Sequence, residues 1–333
     1  MAQMTAVVQD RYGGPEVLSV RDVTRPEPAQ GQVLVAVRAA GLNAADWHLM
    51  RGLPLFARLT VGLRAPRSKI RGSDVAGVVE AVGPEVTRWA PGDEVYGECG
   101  LAGGGFASFA VVDQALLAAK PASLSFDRAA AVPLAAHTAL VCLREAAGLR
   151  AGQRLLINGA SGGVGTFAVQ LGHALGGEVT GVCSTRNLDL VRSLGADHVV
   201  DYTGEDVAAS GERYDVVLDL VGNRSLRDLR RLVARDGVLV LSGGGTSTGR
   251  RELLGPAWLM LRGKLASPTL PFRVRVPQTP PSPEQLADLA ALVAAGTIRP
   301  VLDRTFPLAE AAQAMTYLET EHARAKVVLT IEG

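Results

Sequence analysis

Residues Leu155-Leu156-Ile157-Asn158-Gly159-Ala160-Ser161-Gly162-Gly163-Val164-Gly165 carry an apolar run straight into a glycine-rich turn, and an amphipathic run follows. That order predicts a strand, a tight turn and a helix. Without a Cβ, Gly162 and Gly163 let the backbone turn sharply and approach a pyrophosphate, while Gly165 lets the helix pack close against its strand. The first N–H groups of the helix have no partner within it and point at the phosphates. A bare strand–turn–helix is the alternative reading, but a second apolar run at 178–183 follows at βαβ spacing. The expected ligand is a dinucleotide, held at Ser161, Gly162, Gly163 and Val164.

The chain has 333 residues, 47% of them apolar, which exceeds the size at which one core usually stays undivided. Two domains are expected. A net charge of +1 provides no long-range field for nucleic acid or an anionic membrane, so neither is an expected partner. Residues 1–10 lack a basic segment followed by an apolar run, so no secretory signal is expected there. The longest apolar run, 129–143, is interrupted by Pro133 and His137 and is too short to span a bilayer. Cys99, Cys142 and Cys183 are odd in number and widely spaced, as expected of reduced thiols in a cytoplasmic protein.

The first 120 residues read as strands and turns, with β-like runs at 4–8, 33–39, 74–82 and 94–95. Gly13-Gly14-Pro15, Pro91-Gly92-Asp93 and Gly103-Gly104-Gly105 punctuate them, which predicts a small, irregular β-barrel. From about 126 the period changes. Helical runs, beginning with 127–147, alternate with short apolar strands at 155–158, 178–183, 198–200, 216–220 and 238–242. Such alternation predicts an α/β domain, a doubly wound parallel sheet covered on both faces. Residues 268–283 read as a proline-rich surface loop, 284–295 as a last helix, and 326–331 as a strand returning to the first domain.

Cofactor preference is read at the end of the second strand, where an acidic residue accepts hydrogen bonds from the ribose of NAD. Here the strand ends Cys183-Ser184-Thr185-Arg186-Asn187, with two hydroxyls and a guanidinium and no carboxylate. Arg186 can pair with a 2′-phosphate, so NADPH is expected over NADH. Ser184 or Thr185 could instead cap the next helix. Tyr202 follows the third strand and could flank the ribose phosphate, or be a surface aromatic in a turn. Val221-Gly222-Asn223 and Ser242-Gly243-Gly244 end the fourth and fifth strands, on the edge where doubly wound sheets bind ligands.

Several motifs in order now make a resemblance specific. They are Gly41-Leu42-Asn43-Ala44-Ala45-Asp46-Trp47, Gly72-Ser73-Asp74-Val75-Ala76-Gly77, Pro91-Gly92-Asp93-Glu94-Val95, Ala131-Val132-Pro133-Leu134-Ala135-Ala136-His137-Thr138-Ala139, the nucleotide motif, and Ala325-Lys326-Val327-Val328-Leu329. The chain resembles the medium-chain dehydrogenase/reductase superfamily, in its zinc-independent quinone oxidoreductase-like branch. The resemblance implies a GroES-like β-barrel domain at 1–124 with a C-terminal return at 300–333, and a Rossmann NADPH-binding domain at 125–299. It also implies a homodimer through the edge of the Rossmann sheet.

Zinc relatives hold a catalytic metal at positions that map onto Asn43, Ser73 and Leu134, none of which supplies a thiolate, imidazole or carboxylate. No metal site is expected. Without a Lewis acid, the acceptor must delocalise its own developing charge, as quinones and α,β-unsaturated carbonyls do. The implied activity is direct hydride transfer to such acceptors. Enoyl-thioester reduction, or a non-catalytic NADPH-binding sensor or partner protein, are the alternatives. Asn43 is a candidate hydrogen-bond donor to substrate or nicotinamide, or else a turn residue. Asp46 is expected to cap or orient its helix. By resemblance, Thr138 lies beside the nicotinamide and Lys326 on the cofactor phosphates, although Ala325 replaces the family's glycine. His137 at the domain junction is either a proton donor or a packed, hydrogen-bonded residue. Apolar stretches 49–63, with Phe56, and 258–276, with Trp258, Met260, Leu261 and Phe272, are expected as loops walling the substrate pocket.

Overall fold

The computed structural model describes residues 2–100, 103–243, 255–321 and 323–332. The chain forms two compact units, 1–137 with 280–333, and 138–279. In the first, β1 (Gln3–Gln9) and β2 (Leu18–Thr24) pair as an antiparallel ribbon. β3 (Gln32–Leu42), β4 (Asp74–Val82), β5 (Glu94–Glu98), β6 (Phe109–Asp113) and β7 (Leu117–Ala119) build the body of a larger sheet. Its hub is β3, which pairs antiparallel with β4 and β6. Val33, Val35 and Val37 alternate along β3 into the core with Val75, Val79, Val95 and Phe106. The run expected at 74–82 coincides with β4. By contrast β2 was not anticipated, because the adjacent charges Arg21 and Asp22 break any apolar alternation along it.

The second unit carries β8 (Arg154–Asn158), β9 (Glu178–Cys183), β10 (His198–Asp201), β11 (Tyr214–Asp219), β12 (Val233–Leu241) and β13 (Arg273–Arg275). All pair in parallel, in the order β10-β9-β8-β11-β12-β13. In strand sequence this is 3-2-1-4-5-6, the doubly wound order of dinucleotide-binding sheets. Leu155, Leu156 and Ile157 in β8 and Val216, Val217 and Leu218 in β11 are all buried, as strands covered on both faces must be. Two expectations need correction here. The proline-rich stretch contains β13, whose alternating Arg273-Val274-Arg275 suits an edge strand. The stretch 258–276, expected as a loop, begins inside helix Gly255–Ala266, because Leu259, Met260 and Leu261 are strong helix formers.

The chain then returns to the first unit. β14 (Leu302–Pro307) runs parallel to β15 (Lys326–Thr330), and β15 lies antiparallel against β3. Helix Pro283–Ala294 packs on β7 in this unit, where the sequence assigned it to the nucleotide-binding domain. Likewise Phe126–Ala130 packs on β3 and β4, so the divisions fall at 137 and 280 instead of 124 and 299. Nor is Pro283–Ala294 the last helix: Ala311–Thr320 follows, with Ala311, Ala314, Met315 and Leu318 on its core side. Among the described residues no helix is long and apolar enough to cross a membrane.

Candidate active site and cofactor cradle

In the first unit, β15 and β4 flank β3, and a charged residue stands at the head of each. Asp74 and Lys326 are almost wholly buried, with exposures of 0% and 2%. Lys326 Nζ donates to Leu42 O at 3.0 Å and Asn43 Oδ1 at 2.5 Å, and lies 3.4 Å from Asp74 Oδ2. These contacts use all three ammonium donors. Asp74 also accepts from Asn43 Nδ2 at 2.9 Å and from Leu134 N at 3.1 Å. Gly41 on the intervening strand makes room: a Cβ there would stand 2.3 Å from Ala130 O and 3.1 Å from the Asp74 carboxylate.

Burial raises the Asp74 carboxyl to about 7, Glu98 on the next strand adds to the rise, and Lys326 opposes it. Beside it, Asp46 accepts from Asn43 N at 3.0 Å and from Ser73 Oγ at 3.0 Å. Asp46 thus anchors the start of helix Ala44–Arg51, and burial raises its carboxyl too. Cys99 is pushed up by burial and by the nearby carboxylates, which makes it a poor nucleophile.

The residues at the zinc-ligand positions therefore do not fit a metal. Asn43 is engaged by Asp74 and Lys326, Ser73 donates to Asp46, and Leu134 contributes only its backbone N–H. An ammonium stands among them, which would repel a dication. The expectation that Lys326 reaches cofactor phosphates is corrected by the same geometry, since all its donors are spent inside the barrel. Ala325 takes the left-handed backbone, φ +72°, that the family's glycine would adopt freely.

His137 is 3% exposed. Its Nδ1 lies 3.4 Å from Glu98 Oε1, and its Nε2 is hydrogen-bonded to Gln285 Oε1. It ties helix Pro133–Leu140 to β5 and to helix Pro283–Ala294. With both nitrogens committed to protein partners, the geometry favours the packed, hydrogen-bonded reading over the proton donor. His137→Ala should lower unfolding free energy by about 2–4 kcal/mol, by leaving buried partners unpaired and a cavity. Chemical denaturation checks this; turnover per folded molecule should hold, and its collapse in a stable variant would restore the catalytic role.

In the second unit, helix Gly163–Ala174 begins at the glycine turn, with Gly162 as its N-cap. Thr166 N donates to Gly162 O at 2.9 Å, so the N–H groups of Gly163, Val164 and Gly165 precede the first helical bond. A Cβ on Gly165 would lie 2.1 Å from Gly159 O. This is the close turn that a pyrophosphate cradle needs, and the residues fit a dinucleotide. Asp219, buried at the end of β11, accepts at Oδ1 from Asn158 Nδ2 and from the backbone N–H of Val221 and Gly222. It shapes the Val221-Gly222 turn and was not singled out from sequence; an aspartate directly after the apolar run 216–218 was the available signal. Ser242 meets the Cys142 thiol, and Gly243 passes close to Leu220. Gly244 lies outside the described residues.

At the end of β9, Ser184 is half-buried, Arg186 is exposed and Tyr202 is 54% exposed. Thr185 Oγ1 donates to Asp201 Oδ2 at 2.6 Å. A carboxylate from β10 is thus close by, contrary to the sequence reading of this strand end, and Thr185's proton is spent on it. Thr138 is buried on helix Pro133–Leu140. Of the supposed pocket walls, Phe56 and Trp258 are exposed, whereas Phe272 belongs to the core of the second unit. Stretch 49–63 is not a loop either: it carries the end of Ala44–Arg51 and the short helices Leu55–Ala57 and Arg58–Val61.

Comparison with known proteins matches residues 29–122 to the alcohol dehydrogenase GroES-like domain and residues 194–329 to the zinc-binding dehydrogenase family. The chain is 34% identical to an NADPH-dependent alkenal/one oxidoreductase of Arabidopsis thaliana, over 98% of this chain and 79% of that one. It is 37% identical to a quinone oxidoreductase of Pseudomonas aeruginosa, over 96% and 97% of the two chains. The solved quinone oxidoreductase of Coxiella burnetii superposes with a TM-score of 0.85 at 30% identity, covering 99% of this chain and all of that one. The strand order, the glycine turn and these similarities converge: the chain belongs to the medium-chain dehydrogenase/reductase superfamily, in its quinone oxidoreductase-like branch.

Proposed function

We propose that this chain is a zinc-independent, NADPH-dependent reductase of quinones or α,β-unsaturated carbonyls, acting in the cytoplasm as a homodimer. The observation that carries the reading is the Lys326–Asn43–Asp74 cluster among the metal-ligand positions. A site built that way has no Lewis acid for the alkoxide of a simple alcohol, so its acceptor must spread charge over its own conjugated system. NADPH supplies the hydride when bound. Asn43 has a second amide hydrogen beyond the one given to Asp74, and this reading directs it to the acceptor oxygen. Thr138 is assigned to the nicotinamide side, and Ser161, Gly162, Gly163 and Val164 to the pyrophosphate. Val221, Gly222, Ser242 and Gly243 line the ligand edge, and Ser184, Arg186 and Tyr202 take the ribose phosphate.

The test is NADPH oxidation with a quinone, an enone and an enoyl thioester in parallel. Turnover of the first two supports the reading; turnover of the thioester alone makes it an enoyl-thioester reductase, and none at all makes it a binding protein. Arg186→Ala should raise the dissociation constant for NADPH about tenfold to a hundredfold, the loss of one charge-assisted contact, and leave NADH unchanged. Equal affinities for the two cofactors in the unsubstituted protein would remove the preference.

A further inference from the structure

We propose that Asn187 is a positioning residue that keeps two serine hydroxyl protons, on Ser161 and Ser184, free for the phosphates of the bound dinucleotide. The inference rests on the NADPH reading above. Asn187 is 3% exposed and sits where β9 passes into the next helix, its own N–H donating to Ser184 O at 2.8 Å. Its side-chain Nδ2 donates to Ser161 Oγ at 3.0 Å and to Ser184 Oγ at 3.2 Å. One amide thus bridges the glycine turn and the end of the second strand, the two places where a doubly wound sheet holds pyrophosphate and adenosine ribose.

Proton direction gives the bridge its significance. A serine hydroxyl has one proton and can accept as well as donate. Because Asn187 donates to both, each serine accepts from it and retains its proton, and neither hydroxyl donates to a protein partner among the described residues. Asn187 Oδ1 is buried without a partner. The reverse amide orientation would strand two N–H donors in place of that one oxygen and would draw both serine protons inward, so the observed orientation is the better satisfied. The neighbouring Thr185 shows the contrast: its hydroxyl donates to Asp201 and is lost to any ligand. Ser161 lies on the turn common to all dinucleotides, whereas Ser184 lies where a 2′-phosphate would be read.

A double-mutant cycle tests this, with dissociation constants for NADPH and NADH from nicotinamide fluorescence and a melting temperature for each variant. Asn187→Ala should weaken NADPH about tenfold, or about 1.4 kcal/mol. Ser184→Ala should cost NADPH a similar factor and leave NADH alone, while Ser161→Ala should weaken both cofactors equally. In the Asn187→Ala background each serine substitution should cost less than about twofold, because its hydroxyl is no longer directed. Fully additive costs, or a lower melting temperature with unchanged dissociation constants, would overturn the proposal. Should Asn187→Ala not fold, the isosteric Asn187→Asp serves in the same cycle; a carboxylate only accepts, so it turns both protons inward. If the Ser161 arm is non-additive while NADPH and NADH bind equally, the role of Asn187 stands and only the cofactor preference fails.

Discussion

Lys326→Met should cost about 3–5 kcal/mol of unfolding free energy near pH 8 and distinctly less near pH 5, because it strands Asp74 as an unpaired buried charge. The pH dependence follows from the raised carboxyl. Asp74 titrates near 7 in the folded protein against 3.8 when exposed. Folding therefore favours its protonated form, and its contribution to stability is greatest below about pH 4 and declines as pH climbs to about 7. Removing the ammonium removes the influence that holds the value down, so in the variant the decline continues above 7. The double variant Asp74→Asn/Lys326→Met has no charge to strand and should recover most of the loss and most of the pH dependence. Urea titrations at several pH values measure all three proteins. A single-variant loss below about 1 kcal/mol at alkaline pH would mean that the pair is a solvated surface contact.

Gly165→Ala should raise the dissociation constants for both NADPH and NADH by about a hundredfold or more, a loss of about 2.7 kcal/mol. The added Cβ would lie 2.1 Å from Gly159 O and 2.8 Å from Ala160 O, and both of those atoms are backbone. Backbone cannot rotate away as a side-chain tip can, so the turn must open and the N–H groups leave their phosphate-facing positions. Gly204→Ala is the matched control: nothing lies within 4 Å of a Cβ there, and its φ is not left-handed. Its stability should stay within about 0.5 kcal/mol of the unsubstituted protein, with affinity unchanged. Tight nucleotide binding by the Gly165 variant would show that the turn does not carry the phosphates.

What could be read ahead of the structure divides along physical lines. The nucleotide-binding sheet was legible because β8 and β11 carry the continuous apolar runs 155–157 and 216–218, the pattern of strands buried on both faces. Helix Ala311–Thr320 was missed although Ala311, Ala314, Met315 and Leu318 keep helical spacing, since alanine marks a core face weakly. The cluster around Asp74 was harder. Lys326 and Asp74 are 252 positions apart, and only the placing of β15 and β4 on either side of β3 brings them together. A lysine and an aspartate each heading an apolar strand were the visible signal, for such charges need a partner once buried. The Thr185–Asp201 bond was hidden for the same reason, as it depends on the pairing of β10 with β9.

The central claim is that acceptor conjugation takes the place of a metal. The direct measurement is NADPH consumption by chelator-dialysed protein, with an enone and with the saturated ketone of the same skeleton. Undiminished turnover of the enone, with the ketone inert and less than a tenth of an equivalent of zinc by elemental analysis, is the predicted result (about an order of magnitude below the single ion a catalytic site would hold). Ketone reduction that vanishes on dialysis and returns with stoichiometric zinc would contradict it.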